Sequence, residues 1–245
     1  MDDYSDRTTA LHLAASGIVV DVPLPEAAPL AAAGDRRRAA ALASALLLKR
    51  TLDVLLSAAL LLLLAPLFLL IALVLLRGGG PVLFVQPRIG RDGKAFPCYK
   101  FRTMVPHAEQ VLQDLMQRSE ALREEWSRSQ KLRCDPRITR AGELLRRTSL
   151  DELPQLWNVL RGDMSLIGPR PVLPEQLAWY GAQAACYASM RPGITGLWQV
   201  TARGDGDFGR RIELDCEYVR RFSLALDLSI LLRTVGVVLS GRGAY

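Results

Sequence analysis

Between residues 54 and 76 the chain carries no charged side chain, and elsewhere no stretch of that length is so apolar. About 23 residues in a helix extend roughly 34 Å, enough to cross a bilayer with some tilt. A helix that is apolar on every side belongs in a membrane or a very large core. The leucine run at 60–64 and its continuation past residue 70 argue against a soluble core. Pro66 interrupts the run. It lacks the N–H that would reach the carbonyl of Leu62, so the helix is expected to bend there. Each half, 54–65 and 67–76, would then be about 15 to 18 Å long, close to half the hydrocarbon thickness. Both flanks are basic: Lys49 and Arg50 precede the run, and Arg77, Arg88, Arg91 and Lys94 follow it. Lys/Arg-rich flanks stay in the cytoplasm. A helix–break–helix that enters and leaves through one face satisfies both flanks, and a kinked spanning helix is the alternative. The pattern alone leaves both open. Asp53 has Lys49 at i−4 and Arg50 at i−3, on one helical face, and is expected to pair with them as an interfacial anchor.

Beyond the run the pattern changes. Three glycines and Pro81 break the helix, residues 82–85 favour a strand, and Arg88-Ile89-Gly90-Arg91-Asp92-Gly93-Lys94 has hairpin chemistry. Over residues 96–104, Lys100 and Arg102 stand two apart and so share one face of a strand. Such a pair can grip a phosphate or simply face solvent. Residues 106–133 read as a polar surface helix, ended by Asp135-Pro136-Arg137, and a shorter helix is expected over 140–147. Near the end, 213–221 and 224–239 form amphipathic pieces. The second carries only Asp227 and Arg233 as charges, which suits a membrane-surface position. Residues 1–45 begin with acidic residues and end near the Arg36-Arg37-Arg38 cluster, unlike a cleavable signal. The expected organisation is a flexible N-terminal tail (1–45), a re-entrant membrane helix–break–helix (46–77) and a catalytic domain (78–245). The expected fold class is α/β, mainly helical.

Composition narrows the chemistry. The 245 residues include 31 Lys/Arg against 25 Asp/Glu, a net charge of +6. Such a balance suits nucleic acid, anionic lipid or phosphorylated small molecules. Aromatic residues make up only 7%, and no nucleic-acid module is recognisable, which counts against the first. Cys98, Cys134, Cys186 and Cys216 stand far apart and only two histidines occur, so there is neither a zinc signature nor a disulfide framework.

The densest chemistry lies at 146–171, which reads RRTSLDELPQLWNVLRGDMSLIGPRP. Asp151 and Glu152 are adjacent carboxylates shortly after Arg146 and Arg147. Ser149 with Glu152 fits a capping box, or Asp151 itself caps the following helix. Either way the pair sits near a helix N-terminus, where anions and phosphoryl groups are stabilised. An aspartate can take a phosphoryl group, and an adjacent glutamate can hold magnesium against phosphate oxygens. A purely structural cap remains the simpler alternative. Gly168-Pro169-Arg170-Pro171 and Arg191-Pro192-Gly193 each fix one guanidinium suited to phosphate.

These strings resemble the monotopic polyprenyl-phosphate phosphoglycosyl transferases, the bacterial sugar transferase family of exopolysaccharide and O-antigen initiation. The resemblance runs from about Lys49 to the C-terminus. It rests on Lys49-Arg50-x-x-Asp53, Tyr99-Lys100-Phe101-Arg102-Thr103-Met104, Ser149-Leu150-Asp151-Glu152-Leu153-Pro154-Gln155, Gly162-Asp163-Met164-Ser165-Leu166, Gly168-Pro169-Arg170-Pro171 and Arg191-Pro192-Gly193-Ile194-Thr195-Gly196. It implies a re-entrant helix broken at Pro66, although Ala65 stands where the family often has serine. It implies that Asp151 attacks the β-phosphate of a UDP-sugar, releasing UMP, and that undecaprenyl phosphate then takes the sugar phosphate. Glu152 would bind Mg2+, Arg146 would serve the active site, Lys100, Arg102, Arg170 and Arg191 would contact phosphate, and Asp163 would support the site. Galactose or glucose is the sugar of the most similar subgroup. The expected partners are UDP-sugar, undecaprenyl phosphate and membrane lipid, not nucleic acid. A homodimer stays open. The expected location is the bacterial inner membrane, with the catalytic domain on its cytoplasmic face. A non-catalytic scaffold of a polysaccharide assembly is the rival reading, and the intact carboxylate pair speaks against it.

Overall fold

The computed structural model describes residues 36–129, 132, 134–202 and 207–240. Of the expected tail, residues 1–35 lie outside the described residues. Its last part is not a tail: helix α1 begins at Arg36 and runs to Leu63. Helix propensity accounts for the difference, since residues 36–48 are arginine, alanine and leucine with a single serine. Helix α2 (Ala65–Arg77) follows at once, with Pro66 in its first turn. The Leu64 N–H still reaches the Leu60 carbonyl at 2.9 Å, and the Leu64 carbonyl accepts from Phe68 at 2.9 Å. Between them the ladder is interrupted and the axis turns by 60°. Among the described residues no single helix is long and apolar enough to cross a membrane, but the bent pair together meets that length and composition.

Strands β1 (Leu83–Ile89) and β2 (Ala95–Phe101) form the expected hairpin, antiparallel, with Gln86 opposite Cys98 and Arg88 opposite Phe96. Helices α3 (Ala108–Arg118) and α4 (Glu120–Ser129) replace the single helix expected over 106–133. Helix α5 (Arg140–Arg147) is capped by Thr139, which accepts from the Gly142 N–H at 2.9 Å. Then come a single 3-10 turn (Leu150–Glu152), α6 (Gln155–Arg161) and β3 (Ser165–Ile167). After α7 (Pro174–Leu177) and α8 (Ala184–Ala188), β4 (Gly193–Thr195) pairs parallel with β3. Helices α9 (Leu197–Thr201), α10 (Phe208–Arg220) and α11 (Leu224–Ser240) complete the chain. The fold is mainly helical with two two-stranded sheets, compatible with the α/β expectation.

Four apolar clusters hold these pieces. One joins α2 to β2 and α5: Ile71 and Leu75 pack with Phe101 and Leu145, and Leu150 and Leu153 border them. Phe96 and Cys98 of β2 pack on Val159 and Met164. Ile89, Val172 and Tyr187 form a third cluster, and Ile167, Tyr218 and Ile230 a fourth. The backbone approaches are close. A Cβ on Gly142 would lie 1.9 Å from the Thr103 carbonyl oxygen, and one on Gly193 would lie 2.1 Å from the Gly168 nitrogen. Glycine at these points lets α5 seat against Thr103 and lets the Gly168 turn nest in the sheet.

The expected Lys49–Arg50–Asp53 anchor is corrected. The three side chains do not pair along α1. Lys49 donates to Asp227 of α11 at 2.7 Å. Arg50 donates to the Val159 and Leu160 carbonyls at the end of α6, at 2.6 and 3.1 Å. Asp53 accepts from the Leu166 N–H at 3.0 Å. Helical spacing permits the local pairs, but unsatisfied carbonyls and a buried carboxylate elsewhere in the fold compete better for these charges.

Candidate active site

The pair Asp151–Glu152 stands in the 3-10 turn between α5 and α6, and the two side chains are only 13% and 17% exposed. The expected capping box is not formed. Ser149 has φ +57°, left-handed, and lacks the extended backbone of an N-cap. Pro154 stands at the N-cap of α6 instead, so the two carboxylates lie one turn ahead of the helix proper.

Three cations surround the pair. Lys100, near the end of β2, donates to Glu152 Oε1 at 2.7 Å and lies 4.0 Å from Asp151 Oδ2. Arg170 donates to the same Oε1 at 3.2 Å. Arg146, one helical turn before the pair, donates through Nε to Thr103 Oγ1 at 2.9 Å and acts electrostatically on Asp151. These contacts drive the two acids apart. Burial pushes the Asp151 carboxyl above the ordinary value, and the negative Glu152 adds to the rise against the pull of Lys100, Arg146 and Arg170. Burial alone would raise Glu152 too. The direct contacts of Lys100 and Arg170 outweigh it and hold that carboxyl well below the usual range. The result is one permanently ionised carboxylate beside one that is reluctant to ionise.

Arg170 owes its place to α10. Its N–H donates to Asp215 Oδ1 at 3.2 Å, and its carbonyl accepts from Arg211 Nη2 at 3.0 Å. Asp215 is fully buried and also accepts from the Tyr180 hydroxyl at 2.8 Å. The Arg170 and Arg211 guanidiniums lie 5.8 and 5.5 Å from the Trp198 ring. Asn158, buried in α6, ties the other side. Its Oδ1 accepts from the Tyr99 N–H at 3.1 Å, and its Nδ2 donates to the Pro97 carbonyl at 2.7 Å and to Asp163 Oδ2 at 3.0 Å. Asp163 thus orients Asn158, which holds β2 and with it Lys100.

Two expected site residues stand elsewhere. Arg102 donates to the Leu75 carbonyl at 2.9 Å and so closes the C-terminus of α2. The Arg102 N–H continues the ladder to the Val82 carbonyl at 2.9 Å, and the carbonyl at the end of α2 takes its guanidinium. Arg191 donates to the Gly162 carbonyl at 2.7 Å, beyond the end of α6 and on the same side as Arg50. Neither makes a contact with Asp151 or Glu152 among the described residues. Nothing in the sequence pattern marks Asn158, Asp215 or Arg211, and Arg88 stands in it only as a flanking charge. Arg88 lines the cleft at Glu152 together with Cys98, Lys100, Gln155 and Arg170. Burial lowers its guanidinium to about 10.

No three acidic, histidine or cysteine side chains converge as a metal cage among the described residues. Both cations converge on Glu152 Oε1, and no hydrogen bond reaches Oε2 among the described residues. One carboxylate oxygen with a substrate phosphate beside it suits magnesium, which keeps few protein ligands.

The chain matches the family model of the bacterial sugar transferases over residues 44–241. It is 49% identical over 169 residues to the undecaprenyl-phosphate galactose phosphotransferase of Salmonella typhimurium, covering 69% of this chain and 36% of that protein. It is 45% identical over 167 residues to the exopolysaccharide production protein ExoY of Sinorhizobium fredii, covering 68% of this chain and 74% of that protein. It is 42% identical over 179 residues to the undecaprenyl-phosphate glucose phosphotransferase of Komagataeibacter xylinus, covering 68% and 31%. The matched part of this chain thus spans about a third of the Salmonella and Komagataeibacter proteins, and about three quarters of ExoY.

Proposed function

Because the chain belongs to the bacterial sugar transferase family, we propose that it transfers a sugar-1-phosphate from a UDP-sugar to undecaprenyl phosphate, at the start of exopolysaccharide or O-antigen synthesis. The names of its relatives support galactose or glucose as the sugar. The observation that carries the proposal is the divided carboxylate pair, Asp151 and Glu152, enclosed by Lys100, Arg146 and Arg170.

Asp151 is the nucleophile. Its burial leaves the anion poorly solvated, and a poorly solvated anion attacks well. Its oxygen bonds to the β-phosphorus as the bond to the α-phosphate oxygen breaks, and UMP departs with that electron pair. The undecaprenyl phosphate oxygen then attacks the same phosphorus and Asp151 leaves as a carboxylate. Lys100 and Arg170 stand where negative charge accumulates on the transferring phosphoryl oxygens. Arg146 holds the Asp151 charge from the other side. Glu152, through Oε2, would hold Mg2+ with the donor phosphates, and the ion would neutralise phosphate charge.

The helical pair is proposed as a re-entrant membrane element of the inner membrane, with the rest of the chain on the cytoplasmic face. Two observations support it. Arg50 and Asp53 at one end of the pair, and Leu75 at the other, contact the same body of α6, β3 and the β2 end. The bend between them exposes Leu62 and Leu63, at 81% and 74%. From Arg50 to the bend is about 20 Å of helix, enough to enter one leaflet. Such a site meets a soluble nucleotide sugar and a lipid phosphate at one surface.

The test is UMP release by detergent-purified protein with undecaprenyl phosphate, Mg2+ and a panel of UDP-sugars. One sugar should give UMP, and Asp151→Asn should lose at least about 10⁴-fold of that rate. UMP release undiminished in the variant would remove Asp151 as nucleophile. No UMP from any donor would leave the scaffold reading.

A further inference from the structure

Arg88 is a cleft cation that no carboxylate answers. Lys100 and Arg170, which line the same cleft, both contact Glu152. Arg88 donates instead to two neutral acceptors, the Pro171 carbonyl at 3.1 Å and Gln86 Oε1 at 2.7 Å, and makes no ion pair among the described residues. It is half-buried. A guanidinium drawn out of water without an anion is costly to the fold. Holding the Pro171 carbonyl needs only a neutral donor, so local structure does not account for the charge. An anionic ligand in the cleft would.

Register along the hairpin says which part of a ligand. Arg88 stands opposite Phe96, and Lys100 lies four positions further along β2. Four residues of strand are about 13 Å. Asp151 is at the Lys100 end, 4.0 Å from its ammonium, and Arg88 reaches the cleft from the other end. Arg170 lines the same cleft and acts electrostatically on both Asp151 and Arg88. The long side chains of Lys100 and Arg88 meet from these two backbone positions in one cleft, so a donor phosphate at Asp151 brings the neighbouring phosphate toward Arg170 and Arg88.

We propose that Arg88 binds the nucleoside-phosphate portion of the donor, the group that leaves when Asp151 attacks. The assignment rests on the transferase reading above. As the bridging P–O bond breaks, the electron pair stays on the nucleoside phosphate, and the Arg88 guanidinium takes up that developing charge through charge-assisted hydrogen bonds.

The test compares wild type, Arg88→Gln and Arg88→Lys by calorimetric titration with UMP, and by steady-state kinetics in which each substrate is varied. Arg88→Gln should weaken UMP binding by about 10- to 100-fold and lower kcat/KM for the UDP-sugar by a similar factor. The kcat/KM for undecaprenyl phosphate should hold, because that half-reaction follows UMP departure. Arg88→Lys should fall between, since it keeps the charge and loses the fork, and it covers the case in which the glutamine variant does not fold. Unchanged UMP affinity in a folded variant would overturn the proposal, as would an equal loss in both half-reactions, the mark of a merely structural residue. Wild type that binds no UMP would overturn it too. Wild type that binds UMP but turns over no UDP-sugar would sink the transferase reading alone, and the titration would still decide Arg88.

Discussion

At the scale of single residues, the site turns on two adjacent acids in opposite electrostatic states. In the proposed mechanism the attacking form of Asp151 is its anion, and burial raises its pKa. Glu152 is depressed and stays charged throughout the working range. The acid limb of the rate profile should therefore lie above the ordinary aspartate value of about 3.9, with the rate falling as pH drops through the raised value. A profile of kcat/KM for the UDP-sugar checks this, and a limb at or below the ordinary value would contradict it. The stability consequence has the opposite sign. A raised carboxyl stabilises the fold fully below its unfolded pKa, and that contribution is gone once pH passes the folded pKa. At neutral pH the buried anion is thus a burden, and Asp151→Asn should melt higher than wild type while losing turnover. Adjacency alone left the two acids open to a merely structural reading, and it was the family resemblance that singled them out with the arginine five positions before. Asn158 and Asp215 were not legible, because the partners that give them their place, the Tyr99 N–H and the Pro97 carbonyl for one and the Arg170 N–H and the Tyr180 hydroxyl for the other, lie 35 to 61 positions away.

At the scale of elements, local rules worked where the neighbours are local. The hairpin chemistry at 88–94 and the helix at 140–147 correspond to β1–β2 and to α5 (Arg140–Arg147). The rules failed where distant partners compete. Helical spacing offered Asp53 to Lys49, and the fold pairs Lys49 with Asp227, 178 positions away. Tyr218 also donates to Asp227, at 2.7 Å. With the side chains of Lys49 and Asp227 only 8% and 9% exposed, removing one charge strands the other. Lys49→Met or Asp227→Leu alone should cost about 3 to 5 kcal/mol, and the two together should recover most of it. Denaturation of the four proteins in one detergent measures the cycle. Equal losses that simply add would mean that the pair is not coupled.

At the scale of the whole molecule, the bent pair α1–α2 returns to the body it leaves, and its second helix packs against the turn that carries Asp151 through Leu150. The break was legible from one proline and two basic flanks. Where the returning helix docks was not, since its apolar face reads the same whether it meets lipid or protein. If the element is re-entrant, single cysteines placed at Ser44 and at Gly79 in a cysteine-free background should both react with an impermeant maleimide in inverted membrane vesicles, and neither in intact spheroplasts. Labelling of the two positions from opposite sides would establish a spanning helix instead.

The long separation between Lys49 and Asp227 has a consequence in time. A ribosome makes the Lys49 end of the bent pair well before α11, so the ammonium waits through the synthesis of 178 positions for its counter-charge. The same delay applies to Arg170, whose two backbone restraints come from Asp215 and Arg211. Emergence of α1–α2 and completion of the cleft around Asp151 and Glu152 are therefore separate events in synthesis. The bent pair can leave the ribosome while Lys49 and Arg170 still lack their partners, and α10 and α11 are what fix both.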